Sequence, residues 1–155
     1  MRGALRAGIG AALVGLLAAA SPGGAAAAPS CRAALVPAEE SALISMIAAE
    51  RRAERVPKVK ANKTLLRAGR SKSVAMANGG KFAHSGSLPW AKNRSGGQNL
   101  AMAPSAAEAF SGMLASPGHR ANMLAADWKF AAVGAARSCD GVLFFTINFM
   151  GPRVR

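Results

Sequence analysis

Histidine and cysteine are scarce in this 155-residue chain, two of each. Acids are few too, seven Asp and Glu against 20 Lys and Arg, and there is no tyrosine. Each shortage narrows the chemistry. Zinc takes three or four ligands drawn from imidazole, thiolate and carboxylate, and nothing near Cys31 or Cys139 has ligand spacing. A resident cofactor is therefore not expected; His84 and His119 are weak candidates for a divalent cation. No Gly-x-Ser-x-Gly elbow and no His-Glu-x-x-His helix occurs. Neither cysteine sits in a nucleophile's setting, so no catalytic residue is assigned. Aromatics do not interleave with the basic residues, so nucleic acid is not an expected partner. No apolar run reaches the ~20 residues of a membrane-spanning helix.

What is present begins with an address. Arg2 and Arg6 precede an apolar run from Ala7 to Ala20, and Ala25–Ala28 and Pro29 follow. That pattern is a secretory signal peptide over residues 1–28, so a secreted or periplasmic protein is expected. Ala28-Pro29-Ser30 is not a lipobox, so Cys31 is not expected to carry a lipid. The remaining length, about 125 residues, suits one domain, taken as 38–151 after a lead-in over 29–37. Without Arg2 and Arg6 it holds 18 basic and seven acidic side chains, a net charge of +11. In an oxidising compartment Cys31 and Cys139 read as a disulfide, with two free thiols as the alternative.

Periodicity gives the element order. Pro37 suits a first helical turn, with Glu39 and Glu40 at its positive end. Leu43, Ile44 and Ile47 recur at helical spacing until Val56-Pro57. Asn62 or Thr64 caps a second helix running to about Ala77, with Gly69 tolerable where another backbone packs close. Residues 81–97 read as irregular, and Gly97–Met102 as a short strand or bridge. Ser105 and Glu108 form a capping box for a third helix that stops at Ser116-Pro117. The stretch Ser116–Leu124 reads as a turn presenting His119, Arg120 and Asn122. A strand over 131–138, a two-residue Asp140-Gly141 hairpin signal and a β-rich run over 142–149 close the chain. In that run Leu143, Phe145, Ile147 and Phe149 share one apolar face that helices must cover. The order predicts an α+β domain, a small antiparallel sheet flanked by helices.

Five motifs in order carry a resemblance: Ala48-Ala49-Glu50-Arg51, Phe82-Ala83-His84-Ser85-Gly86, Gly97-Gln98-Asn99-Leu100-Ala101, Ser116-Pro117-Gly118-His119-Arg120-Ala121-Asn122-Met123-Leu124, and Val133-Gly134 before an aromatic-rich strand. Together they resemble the bacterial branch of the CAP superfamily, the SCP domain shared by cysteine-rich secretory proteins, venom antigens and plant pathogenesis-related proteins. The resemblance implies an α-β-α sandwich, secretion, and a cavity lined by histidines and acids that in some members binds a divalent cation. Other members are reported as sterol or lipid binders, and proteolysis is claimed for a few. Here the family's Gly-Glu-Asn is Gly97-Gln98-Asn99, and a second acid of the animal and plant branches falls near Ser116 and is absent.

Two candidate sites follow. The first is a ligand cleft of His84, Gln98, Asn99, His119 and Arg120. Its bland counterpart is a hydrogen-bonded network pinning loops to the sandwich, with Asn99 and Asn122 bonding nearby backbone in turns. Trp90 is either a plug over the core or a wall of the cleft. The second is a basic patch: Arg51, Arg55, Lys63, Arg67 and Arg70 lie in a run of nine basic residues opposed only by Glu54. Such a patch is either a solvated face or a surface for anionic polymers. The expected function is a secreted, monomeric, non-catalytic module binding a small apolar or lipid ligand or an anionic envelope polymer, with peripheral membrane contact. The alternatives are a divergent hydrolase using His84 and His119, and a cationic protein acting through Arg51–Lys72 alone.

Overall fold

The computed structural model describes residues 31–154; the expected signal peptide and the start of the lead-in lie outside them. Helix α1, Pro37–Ala53, starts on proline with Glu39 and Glu40 in its first turn and Arg51 and Arg52 in its last. These charges match the helix dipole at each end. Arg55, at φ 57°, turns the chain away. Helix α2, Lys63–Ala77, is capped by Asn62, whose Oδ1 accepts the N–H of Thr64 at 2.9 Å and of Leu65 at 3.1 Å. Helix α3, Ala106–Ala115, is capped by Ser105 Oγ, and Glu39 Oε2 accepts the Ala106 N–H at 2.8 Å.

Residues 116–124 are not the exposed turn their Pro-Gly pair predicts. Pro117–Leu124 is helix α4, with proline in its first turn and the Arg120 N–H bonded to the Ser116 carbonyl at 2.8 Å. Proline ends one helix here and, with its fixed φ and no N–H to satisfy, starts the next.

The sheet has five strands: β1 (Ala34–Leu35), β2 (Lys60–Ala61), β3 (Arg94–Ala103), β4 (Phe130–Arg137) and β5 (Leu143–Arg153). Their order is β1-β4-β5-β3, antiparallel throughout, with β2 paired in parallel to β4. β3 is longer than its sequence suggested, and β1 and β2 are too short to show a period. The β4–β5 connection is a three-residue turn rather than two: the Ser138 N–H meets the Val142 carbonyl at 2.9 Å, and Gly141 takes φ +89°. Cys139 in that turn is disulfide-bonded to Cys31, with Cα atoms 5.9 Å apart.

Helices cover both faces. Leu143, Phe145, Ile147 and Phe149 are fully buried, packed with Leu43, Ile47, Met113 and Met123 from α1, α3 and α4. Each such side chain contributes about 1.5–3 kcal/mol. The opposite face is buried too, under α2, and its polar groups are bonded. The Ser73 hydroxyl bridges the Gly134 carbonyl and Thr146 Oγ1, both at 2.9 Å, and Asn148 Nδ2 donates to the Leu65 carbonyl at 3.1 Å. Gly69 does meet a second backbone: a Cβ on Gly134 would lie 2.2 Å from the Gly69 carbonyl carbon. Two facing glycines let α2 lie directly on β4.

Candidate functional site

Strand alternation divides the expected cleft. Gln98 opposes Asn148 and Asn99 opposes Ile147, so their side chains leave opposite faces of β3. Gln98 is spent on a loop anchor: Oε1 accepts the Ser85 N–H at 2.9 Å, and Nε2 donates to Asn148 Oδ1 at 3.0 Å and Ser85 Oγ at 3.3 Å. Asn99 is fully buried and ties α4 to the sheet. Its Nδ2 donates to the His119 carbonyl at 2.9 Å, and its Oδ1 accepts from Asn122 Nδ2 at 2.7 Å. These are tertiary bonds rather than the local turn bonds expected.

His84 is exposed on the loop, one residue before the Ser85 that Gln98 holds. His119 is half-buried and lines a groove of about 390 Å³ with Phe82, Met113 and Ser116. Arg120 pairs with Glu54 at 2.8 Å and lies 3.9 Å from Glu50, at the end of α1. The five residues therefore do not share one cleft. Among the described residues no three His, Cys, Asp or Glu side chains group to hold a metal ion. With a committed amide where a carboxylate would stand, this donor set does not fit the divalent cation that the resemblance implies.

The basic patch needs correction at two positions. Arg51 is 1% exposed and serves the core. Its guanidinium donates to the carbonyls of Pro57 (2.7 and 3.1 Å), Met123 (2.5 Å) and Ala125 (3.1 Å), joining α1 to the end of α4. Burial lowers its pKa from the ordinary guanidinium value. Arg70 forms a bidentate pair with Glu40, closest at 2.6 Å, and this bond raises its pKa. Glu40 also accepts the Ala135 N–H at 3.2 Å. Arg55 is exposed but stands at the far end of α1. Lys63 and Arg67 remain as exposed cations on α2. Trp90 is half-buried against Leu65, Ala132 and Met150 and borders a groove with Arg67 and Lys72 that holds none of the expected cleft residues; its buried indole N–H has no partner among the described residues.

Lys63, Leu66 and Arg70 are shared by two adjoining grooves at the open edge of the sheet. One, of about 420 Å³, lies between α1 and α2 over β4, with Ile44, Ala131 and Val133 in its lining. The other, of about 530 Å³, adds Leu35, Arg67 and Val74. β1 and β2 cover the two ends of this edge of β4 and leave a notch. Val36 donates to the Ala135 carbonyl at 3.1 Å and Lys60 to the Lys129 carbonyl at 2.9 Å. Val133, between them, turns its N–H and C=O outward with no partner among the described residues. The arrangement is an apolar trough with cations on its rim and one free backbone donor and acceptor in its floor.

The family model described as "CAP: Cysteine-rich secretory protein family" matches residues 44–149. The chain belongs to the CAP family. No curated protein sequence matches it. Its fold is similar to an outer surface protein of Borrelia burgdorferi (TM-score 0.69, 15% identity, 77% of this chain and 98% of that one). It is also similar to an extracellular protein containing an SCP domain from Bacillus anthracis (TM-score 0.64, 21% identity, 75% of this chain but only 41% of that one). Venom allergen-like protein 4 of Schistosoma mansoni follows (TM-score 0.54, 16% identity, 74% and 86%).

In this CAP domain the trough was not legible from spacing. Glu40 reads as a dipole partner near the start of α1, yet it is buried and holds both Arg70 and β4. Leu35 precedes every helix and shows no pattern. Val133 becomes special only because two short strands stop on either side of it. The one available signal was the pairing of cations with Leu66 on α2.

Proposed function

We propose that this CAP protein works outside the cytoplasm, as a monomer, as a non-catalytic binding module for a small anionic amphiphile, with peripheral membrane contact. The observation that carries the proposal is the trough shared by Lys63, Leu66 and Arg70. Leu35, Ile44, Leu66 and Ala131 offer apolar surface to an acyl chain, and burial of each CH₂ is worth about 0.8 kcal/mol. Lys63 and Arg67 offer charge to an acidic head, and the Val133 N–H offers a donor. Glu40 is the single acid in this lining and is already paired with Arg70. A disulfide supports an oxidising location, and two proteins of similar fold are described as extracellular or outer-surface.

Co-sedimentation with phosphatidylglycerol and phosphatidylcholine vesicles tests the proposal. Binding should favour phosphatidylglycerol, fall in the Lys63→Glu/Arg67→Glu variant and fall again in Leu35→Ser. Binding that vanishes in high salt and ignores Leu35→Ser would reduce the protein to a cationic surface and overturn the amphiphile site.

A further inference from the structure

We propose that the free edge of β3 is a strand-addition site for an extended peptide segment with a basic residue at one end. β3 pairs with β5 alone. The Ser138–Val142 contact fixes the phase of the β4–β5 ladder, in which the even residues of β5 bond β4. Its odd residues therefore bond β3, at Gly97, Asn99, Ala101 and Ala103. That turns the N–H and C=O of Leu100 and Met102 outward, and none of the four groups has a partner among the described residues. Leu100 is only 5% exposed, so its main chain is not simply left to bulk water.

The groove of about 390 Å³ that reaches His119 runs along this edge. Its floor is Leu100–Ala103, one wall is Phe82, and the other is α3 at Glu108, Gly112 and Ser116. Phe82 is 48% and Met102 58% exposed, leaving apolar lips. A Cβ on Gly112 would meet nothing within 4 Å, so the α3 wall is open there. Outward groups on β3 repeat every second residue, about 6.8 Å, a spacing that another extended chain matches. Charge sets the segment's end. On a chain of net charge +13, the C-terminal end of β3 is bordered by Glu108 in this groove and by Asp140 in the next, which shares Met102 and Ala103.

The test uses the full folded chain, isotope-labelled, titrated with a mixture of hexapeptides randomised except for one fixed lysine. The amide signals of Leu100 and Met102 should shift. The same mixture N-methylated at alternate amides should bind about tenfold more weakly or worse, because it cannot complete the ladder. Gly112→Leu fills the groove from an open helical position and should abolish the shifts with the fold intact; Glu108→Lys should weaken binding of the lysine-bearing mixture. Unshifted Leu100 and Met102 amides, or equal binding by the N-methylated mixture, overturns the proposal.

Discussion

Replacing Arg51 with methionine keeps most of the stem's apolar packing and removes the guanidinium. The structure then loses four hydrogen bonds to three carbonyls, those of Pro57, Met123 and Ala125. A bond to a charged group is worth about 1.5–3 kcal/mol, and the Met123 carbonyl, whose contact with Arg51 is buried, costs about 1–3 kcal/mol when left alone. These terms overlap, and deleting the charge also relieves its desolvation, so they are not summed. A loss of about 4 kcal/mol is expected from the four bonds to a charged donor. For a domain of this size that lowers Tm by roughly 10–20 °C. Urea unfolding followed by circular dichroism measures it, with Arg55→Met, an exposed cation at the end of the same helix, as the control. The control should stay within about 0.5 kcal/mol of the parent. An Arg51→Met variant within about 1 kcal/mol of the parent would refute the clamp and return Arg51 to the surface patch.

Three further outcomes follow from the packing. Gly134→Ala should destabilise by about 3 kcal/mol or more, read in the same unfolding assay, because its Cβ would lie 2.2 Å from both the Arg70 nitrogen and the Gly69 carbonyl carbon; a loss below 1 kcal/mol, on the order of an ordinary surface change, would mean α2 lifts freely. Reducing Cys31–Cys139, which closes a separation of 108 residues, should cost about 4–5 kcal/mol in the chain-entropy model, and an unchanged melt after thiol capture would contradict it. The Ser138 hydroxyl lowers the pKa of Asp140. Its stabilising contribution is therefore present above the ordinary carboxylate pKa and lost as pH falls through the depressed folded value; Asp140→Asn should flatten that acid limb in thermal melts, and an unaltered limb would exclude the contact.

The fold was legible because its signals are local. Asn62 and Ser105 mark helix starts, and the alternation of Leu143, Phe145, Ile147 and Phe149 marks a half-apolar strand. The helix at Pro117–Leu124 was missed because proline signals a stop and a start alike. The site was less legible. Gln98 and Asn99 are adjacent in one motif, yet period two sends them to different layers. Arg51 lies in a run of cations and looks like its companions. Only the tertiary position of three carbonyls distinguishes it. Edges cannot be read from composition at all: the free groups of Val133, Leu100 and Met102 exist because of where other strands end.

The most direct test of the proposed ligand trough is residue-resolved. Isotope-labelled protein titrated with dihexanoyl phosphatidylglycerol, kept below its micelle concentration, should show saturable amide shifts centred on Ile44, Lys63, Leu66 and Ala131–Val133, weakened in Lys63→Glu/Arg67→Glu. Shifts centred instead on His84 and His119, or no saturable shifts anywhere, would contradict an amphiphile site between α1 and α2.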